Sequence, residues 1–296
     1  MKRRIITVLA VAAMLLALTG CTGVIPAQTL TPKIAPPLIG TEGVLKVAVD
    51  LSYPPFAGTV KGQNVGLDVD VAAAVADQLG LKLELVDASA SDAMAAIKDG
   101  SADMMLGGLT VESAVASQVA FAGTYISDAP AIFAATGTSL TVDTIGTERI
   151  AVQASSLSYW LLLDKYGDAP LVPVASLDAA LSAVDSGTAD VAAGDALVGA
   201  YLLRGHPGLQ YVGQLGSAFP LGAGVSQDKP DLEAQIRGVL DKLASQGLLE
   251  TIRGKWFGDL PPLRVTDTTG SEDASSTPDS TSTLDTSSTP DTSTTP

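Results

Sequence analysis

Cysteine and histidine are almost absent from this chain, which has one of each, Cys21 and His206, among 296 residues. A single cysteine cannot form an internal disulfide, and one of each is too few for a Cys/His zinc site. A serine triad would have to use His206 as its base. Because His206 lies in the turn-rich sequence Arg204-Gly205-His206-Pro207-Gly208, we expect a surface histidine, no catalytic residue, no metal and no cofactor.

Basic residues are also scarce, since 17 Lys and Arg face 32 Asp and Glu and give a formal net charge of −15. No cluster of Lys or Arg follows residue 4. An acidic chain without a basic patch repels phosphate backbones, so we exclude nucleic acid as a partner.

The N-terminal apolar run, 5–18, is too short to span about 30 Å of hydrocarbon as a helix, and it follows three basic residues. This arrangement is typical of an export signal. Leu18-Thr19-Gly20-Cys21 then resembles the bacterial lipobox, in which the cysteine is lipidated. We predict a lipoprotein signal peptide over 1–20 and a lipid-anchored, proline-containing linker over 21–41. An ordinary secretory signal is the alternative.

Aromatic residues make up only 4% of the chain, and none lies in 266–296, where Ser, Thr, Asp and Pro dominate. Such a segment cannot bury enough apolar surface to offset the entropy lost on ordering. We therefore predict a disordered tail over 263–296, with a solubilising role or, as the alternative, a glycosylated stalk.

Between these ends, short β-type runs alternate with helical patterns. Helical stripes occupy 68–79 and the segment from Pro230 to Gly247. Alternating β and α elements predict an α/β fold with mostly parallel sheets covered by helices. The β-type runs are 45–49, 82–86, 149–152 and 171–174.

An internal repeat predicts two lobes of similar fold. One helical stretch leads into Gly100-Ser101-Ala102-Asp103-Met104, and a second leads into Gly187-Thr188-Ala189-Asp190-Val191. Each copy is typical of a helix that ends at a glycine and turns into an apolar strand. Since ligands bind beyond the carboxyl ends of strands in open α/β sheets, residues 107–110 and 194–195 should face each other across a cleft.

Over 43–260 the sequence resembles the amino-acid-type solute-binding lipoproteins of bacterial ABC importers. The resemblance implies a two-lobed, periplasmic-binding-protein-like fold of type II with two hinge crossings. It places lobe one at 42–133 plus 222–262 and lobe two at 134–221. The motifs that carry it are Val47-Ala48-Val49-Asp50, Tyr53-Pro54-Pro55-Phe56, Gly66-Leu67-Asp68-Val69-Asp70, Val152-Gln153-Ala154-Ser155-Ser156 and Lys255-Trp256-Phe257-Gly258.

The resemblance also implies a ligand pocket. Asp195 matches the acid that takes the ligand's ammonium, and the serine pair 155–156 begins a helix that holds carboxylate. Core packing of Tyr53 and helix capping by Asp195 are the alternatives for those two residues, and ordinary turn and capping roles are the alternatives for Thr110 and the serine pair. The implied ligand-binding residues are Asp50, Tyr53, Gly108, Thr110, Ser155, Ser156 and Asp195.

Two positions depart from the family pattern. The arginine that clamps the ligand's carboxylate in the family falls on Val115, or on Ser113 if a small gap is allowed. The aromatic residue that stacks on the ligand falls on Ser91. Without the arginine, either the carboxylate is held by the serine pair 155–156 and Thr110 or the ligand has no carboxylate. The retained acids favour a cationic or amine-bearing solute.

The resemblance implies a lipid-anchored monomer on the outer face of the cytoplasmic membrane. It would bind a small polar solute, an amino acid or a related amine, and deliver it to the permease of an ABC transporter. A ligand-sensing or signalling lipoprotein of the same fold is the first alternative. A lyase acting on cyclohexadienyl compounds is the second.

Replacing Cys21 with serine tests the predicted anchor. We expect the Cys21→Ser protein to leave the membrane fraction, because the substitution removes the only thiol that could carry a lipid. Fractionation after a high-salt wash measures this, with Thr22→Ser as a control that keeps the cysteine. Retention of all the Cys21→Ser protein in washed membranes would contradict the lipoprotein prediction.

Overall fold

The computed structural model describes residues 30–110 and 118–265. The predictions for the signal peptide, for Cys21, for positions 113 and 115 and for the tail beyond 265 lie outside these residues. In chain order the elements are β1 (Val44–Val49), β2 (Gly58–Val60), β3 (Gln63–Val65), α1 (Leu67–Leu79), β4 (Lys82–Asp87), α2 (Ala90–Asp99), β5 (Met104–Thr110), β6 (Ala120–Asp128), β7 (Pro130–Ala135), β8 (Ile150–Gln153), α3 (Leu157–Tyr166), β9 (Leu171–Val174), α4 (Leu177–Asp185), β10 (Val191–Asp195), α5 (Ala196–Leu202), β11 (Leu209–Gln214), β12 (Phe219–Val225), α6 (Pro230–Ser245) and α7 (Leu248–Phe257).

Two five-stranded sheets organise these elements, one with the order β4-β1-β5-β12-β6 and the other with the order β11-β7-β10-β8-β9. In the first sheet β4, β1 and β5 pair in parallel, and β12 pairs antiparallel with both β5 and β6. In the second sheet β10, β8 and β9 pair in parallel, and β7 pairs antiparallel with both β10 and β11. The mixed α/β fold predicted from the alternating pattern is confirmed.

The chain passes between the sheets twice, at Ala129 and over 215–218. These crossings lie a few residues before the boundaries expected at 133 and 221, and the exact lobe ranges stay a prediction. One apolar cluster continues through both sheets and includes Val75, Phe133 and Leu197. Arg204, which follows α5, donates to the carbonyl oxygens of Lys255 and Trp256 at the end of α7. The lobes are therefore in contact on this face.

The internal repeat has a structural cause. Asp103 donates its N–H to the Lys46 carbonyl at 2.8 Å and accepts from the Lys46 N–H at 3.0 Å. Asp190 makes the same exchange with Arg149, with both distances 2.9 Å. In each copy the aspartate after the turn thus fixes the incoming strand to the strand beside it.

The segment 30–41 includes the end of the predicted linker, and it packs on the first lobe. Ile34 and Ile39 are buried, and Lys33 donates its N–H to the Leu79 carbonyl at the end of α1. Gly80 adopts φ +67°, and a Cβ at this position would lie 2.0 Å from the Thr31 carbonyl oxygen. Gly80 therefore both ends α1 and admits this segment.

No helix within the described residues is both long enough and apolar enough to cross a bilayer. Helices cover both sheets instead, and most of them bury an apolar stripe, whereas α3 leaves Leu157, Trp160 and Leu161 exposed. The N-termini of the two repeat helices α2 and α4 are capped alike, because Ser89 accepts from the Asp92 N–H and Ser176 from the Ala179 N–H.

His206 is buried, so the expectation of a surface histidine is wrong. Its side chain lies between two carboxylates of α4, with Nδ1 2.5 Å from Asp185 and Nε2 3.3 Å from Asp178. Burial acts to lower the pKa of His206, but the hydrogen bonds and charges of both aspartates outweigh it and raise the pKa. The imidazole therefore ties the loop after α5 to α4.

This raised pKa predicts a pH-dependent stability. Protonation of His206 favours the folded chain, so its contribution is complete below the ordinary pKa of about 6.5 and is lost as pH rises through the folded-state value. We expect His206→Gln to lower the free energy of unfolding more at pH 5.5 than at pH 8.5, measured by urea denaturation. No other imidazole is present to confuse the comparison, and an equal cost at both pH values would contradict the ion pair.

Candidate functional site

A cavity of about 250 Å³ lies at the carboxyl ends of β1, β4 and β5. Its walls include Asp50, Tyr53, Phe56, Asp68 and Gly107, all from the first lobe. A larger depression of about 470 Å³ lies at the opposite end of these strands and contains none of the predicted site residues. We therefore place the site at the carboxyl edge, where the sequence analysis puts it.

The loop after β1 supplies two of the predicted residues. Asp50 accepts from both the N–H and the hydroxyl of Ser52, at 2.9 and 2.6 Å, and these bonds fix its carboxylate. Tyr53 stacks on Phe56 with ring centroids 5.5 Å apart. Half of Tyr53 remains exposed, so the core-packing alternative is wrong for this side chain.

The pKa of Tyr53 identifies the groups around its hydroxyl. Partial burial raises this pKa first, and the charges of Asp195, Asp128 and Asp50 raise it further. Asp195 lies on β10 of the second sheet, and Asp128 ends β6 of the first sheet, just before the chain crosses to the second. Carboxylates from both lobes therefore lie within electrostatic reach of one phenol.

Asp68 is a site residue that the sequence analysis did not select. It is 1% exposed in the first turn of α1, and neither carboxylate oxygen has a hydrogen-bond partner of good geometry within the described residues. Burial raises the pKa of Asp68 to about 7, and the neighbouring Tyr125 side chain offsets this only in part. The signal in the sequence was an acid on the same helical stripe as Val71 and Val75.

Asp195 ends β10 and occupies the N-cap position of α5, but its side chain makes no capping hydrogen bond. The capping alternative is thus wrong for Asp195. Burial raises the pKa of Asp195. Asp128, a second acid that the sequence analysis missed, lies beside it and is 4% exposed. Burial and then the charge of Asp195 raise the pKa of Asp128 to about 7.

The serine pair lies at the start of α3, where β8 ends. Ser156 accepts from the Tyr159 N–H at 3.1 Å and so caps the helix. Ser155 has φ +61°, in the left-handed region that residues other than glycine rarely adopt. Such strain marks a turn that the surrounding structure holds in place. Helix starts of this kind attract anions, which agrees with the carboxylate role implied for this pair.

Gly108 and Thr110 lie on β5, where Thr110 pairs with Leu221 of β12. Thr110 and the residues of the second lobe are not among the described residues that line the 250 Å³ cavity. The structure thus brings Asp50, Tyr53 and Asp195 together electrostatically, and it leaves Gly108, Thr110 and the serine pair at strand ends without showing them at one pocket.

Negative charge without a counter-charge dominates the site. Asp50, Asp68, Asp128 and Asp195 have no ion-pair partner in the part of the chain that the structure describes. Buried carboxylates are costly unless they are protonated or paired. A cationic ligand would supply the missing charge.

Two α/β lobes joined by two crossings, with an acidic cleft at their strand ends, define a two-lobed solute-binding protein of type II. The family model for bacterial extracellular solute-binding proteins, family 3, matches residues 45–259. The chain belongs to this family, and the resemblance seen in its motifs is confirmed.

Individual relatives agree with this assignment. The chain is 26% identical over 219 residues to the arginine-binding periplasmic protein of Mannheimia haemolytica, covering 72% of this chain and 90% of the relative. An ancestral cationic amino acid solute-binding protein of known structure superposes with a TM-score of 0.66 at 25% identity, covering 73% of this chain and 96% of that one. A shorter match, 34% identity over 88 residues, covers 29% of this chain and 33% of the cyclohexadienyl dehydratase of Pseudomonas aeruginosa.

Asp68→Asn tests the buried carboxyl. Since the Asp68 pKa is raised from 3.8 to about 7, ionisation opposes folding, and wild-type stability falls by ~1.4 kcal/mol per pH unit between those values. We expect the stability of Asp68→Asn relative to wild type to increase as pH rises from 4.5 to 8, measured by urea denaturation. Asp77→Asn, at an exposed position of the same helix, should show no such trend. A flat difference for Asp68→Asn would contradict the raised pKa.

Proposed function

We propose that this protein captures a cationic amino acid or a related amine outside the cytoplasmic membrane and delivers it to the permease of an ABC importer. The observation that carries the proposal is a set of acids without a counter-cation in the described chain: Asp50 and Asp68 line the cavity, and Asp128 and Asp195 lie within electrostatic reach of Tyr53. A relative named for arginine and a structural neighbour named for cationic amino acids support the ligand class.

The ligand's two ends match two parts of the cleft. The α-ammonium pairs with Asp195, whose carboxylate makes no capping bond. A cationic side chain enters the first-lobe cavity beside Asp50 and Asp68, where the exposed face of Tyr53 adds a cation–π contact. The start of α3 and Thr110 hold the α-carboxylate in place of the family's arginine.

Closure of the lobes completes the site. Tyr53 is half exposed and the cavity is lined by the first lobe, which is the arrangement of an open cleft. A bound cation attracts acids from both lobes, so it favours the closed state by its differential affinity.

The membrane attachment and the monomeric state belong to the same proposal. Lipidation at Cys21 would hold the protein near the permease, and the segment 22–29 would link the lipid to the first lobe. The tail from 266 would serve as a solubilising segment.

Two other functions remain open to direct test. A sensing lipoprotein would bind the same ligands, and neighbouring kinase or cyclase genes in place of permease genes would favour it. A dehydratase that used His206 as its base is less consistent with the structure. The His206 imidazole contacts Asp178 and Asp185 and is not among the described residues that line the cavity. Turnover of cyclohexadienyl compounds by the purified protein would establish the enzyme.

Asp195→Asn tests the ammonium site. We expect calorimetry of the lipid-free domain with L-arginine, L-lysine, L-ornithine and putrescine to find a ligand. Asp195→Asn should weaken its binding by about 2 to 5 kcal/mol, because the variant removes one side of a buried charge pair. The fold should persist, since asparagine tolerates an N-cap position as well as aspartate does.

Asp164→Asn, at an exposed position of α3, is the matched control and should bind as the wild type does. Unchanged affinity in a folded Asp195→Asn protein would contradict the ammonium assignment. Failure of the wild type to bind any of the four cations, together with binding of a neutral or acidic amino acid, would contradict the cationic ligand class.

A further inference from the structure

Two aspartates lie at the start of α5, one at the N-cap position and the other on β6. Asp195 has the backbone position of an N-cap, with φ −69° and ψ 133°, yet its carboxylate accepts no hydrogen bond from the helix. An aspartate at this position normally accepts from the second or third N–H of the helix. Unless another group accepts a hydrogen bond from that N–H, the N–H is unpaired.

Asp128 supplies the missing cap from another strand. Its Oδ1 accepts from the Leu197 N–H at 3.1 Å and from the Ala129 N–H at 2.7 Å. Leu197 is the second residue of α5, so Asp128 satisfies the N–H that Asp195 would otherwise bind. The cap therefore comes from β6, 69 residues away in sequence.

The strand register holds Asp128 in this position. Asp195 pairs with Pro130, and the Ala196 N–H donates to the Ala129 carbonyl at 2.8 Å. The first crossing between the sheets thus runs directly along the first turn of α5. Asp128 is 4% exposed, and this packing restricts its carboxylate to the helix start.

We infer that Asp128 is a positioning residue, which caps α5 across the lobe crossing and thereby leaves the Asp195 carboxylate free to take the ligand's ammonium. The effect of Asp128 on ligand binding rests on the proposed function. The capping of α5 by Asp128 does not, because the identity of the capping residue can be measured without a ligand. Without Asp128, the Asp195 side chain rotates onto the Leu197 N–H, and a ligand must break that bond before it can bind.

Asp128→Ala and Asp128→Asn form the matched pair for the test. Both remove the charge of Asp128, but the asparagine oxygen still accepts from the Leu197 N–H. We expect calorimetry with L-arginine to show at least a tenfold loss of affinity in Asp128→Ala and a loss of no more than about threefold in Asp128→Asn. A role for Asp128 as a direct charge partner predicts equal losses in the two variants, and that result would overturn the inference.

Titration of the Asp195 carboxyl by ¹³C NMR, without ligand, gives the second readout. Capping hydrogen bonds stabilise the ionised form, so the pKa of Asp195 should be lower in Asp128→Ala than in Asp128→Asn. Equal pKa values of Asp195 in the two variants would overturn the inference, whether or not the wild type binds L-arginine. Failure of the wild type to bind L-arginine would count against the proposed function alone. If Asp128→Ala fails to fold, an affinity loss in Asp128→Asn as large as that in Asp195→Asn would overturn it.

Discussion

The hydrogen bonds from the start of α5 to Asp128 connect the fold to the site. They fix the first crossing between the sheets against the helix that Asp195 precedes, so the crossing and the acid proposed to bind the ligand share one contact. Two backbone N–H groups, those of Ala129 and Leu197, would otherwise need another partner. The arrangement leaves Asp195 uncapped, and in a water-poor cleft a free carboxylate is a strong partner for an ammonium.

Charge imbalance defines what the cleft can hold. Asp50 and Asp68 line the cavity, and Asp128 and Asp195 lie within electrostatic reach of Tyr53. The pKa values of Asp68 and Asp128 are raised to about 7, and none of the four acids has a basic partner in the described chain. The whole protein has the same bias, with 32 acids against 17 bases. The proposed cationic solute would be attracted at long range by this field and would neutralise the buried acids on arrival.

Periodicity and turn residues predicted most of the fold. The strands near 45, 82, 150 and 171 and the helices after 67 and 230 lie where alternation, apolar stripes and glycine stops indicated them. The repeat around Asp103 and Asp190 indicated two related sheets, because one aspartate makes the same backbone exchange in each. Asp195 could be selected through the family motifs.

Contacts between distant segments could not be read in the same way. His206 was expected at the surface because its neighbours are turn residues, whereas Asp178 and Asp185 enclose it from a helix 21 to 28 residues earlier. Asp128 lies in an apolar strand with no local sign that its partner is Leu197. Burial of Asp68 depends on how α1 packs, and the packing of 30–41 depends on the shape of α1's end. Each depends on tertiary contacts, and local patterns do not contain that information.

The central claim is that a cation neutralises carboxyls whose pKa values burial has raised. Calorimetry of L-arginine binding at pH 7, repeated in two buffers of different ionisation enthalpy, gives the number of protons exchanged on binding. A bound cation lowers the pKa of nearby carboxyls, so the account predicts net release of a fraction of a proton from Asp68 and Asp128, whose pKa values are raised to about 7. Binding with no proton exchange, or with proton uptake, would contradict it.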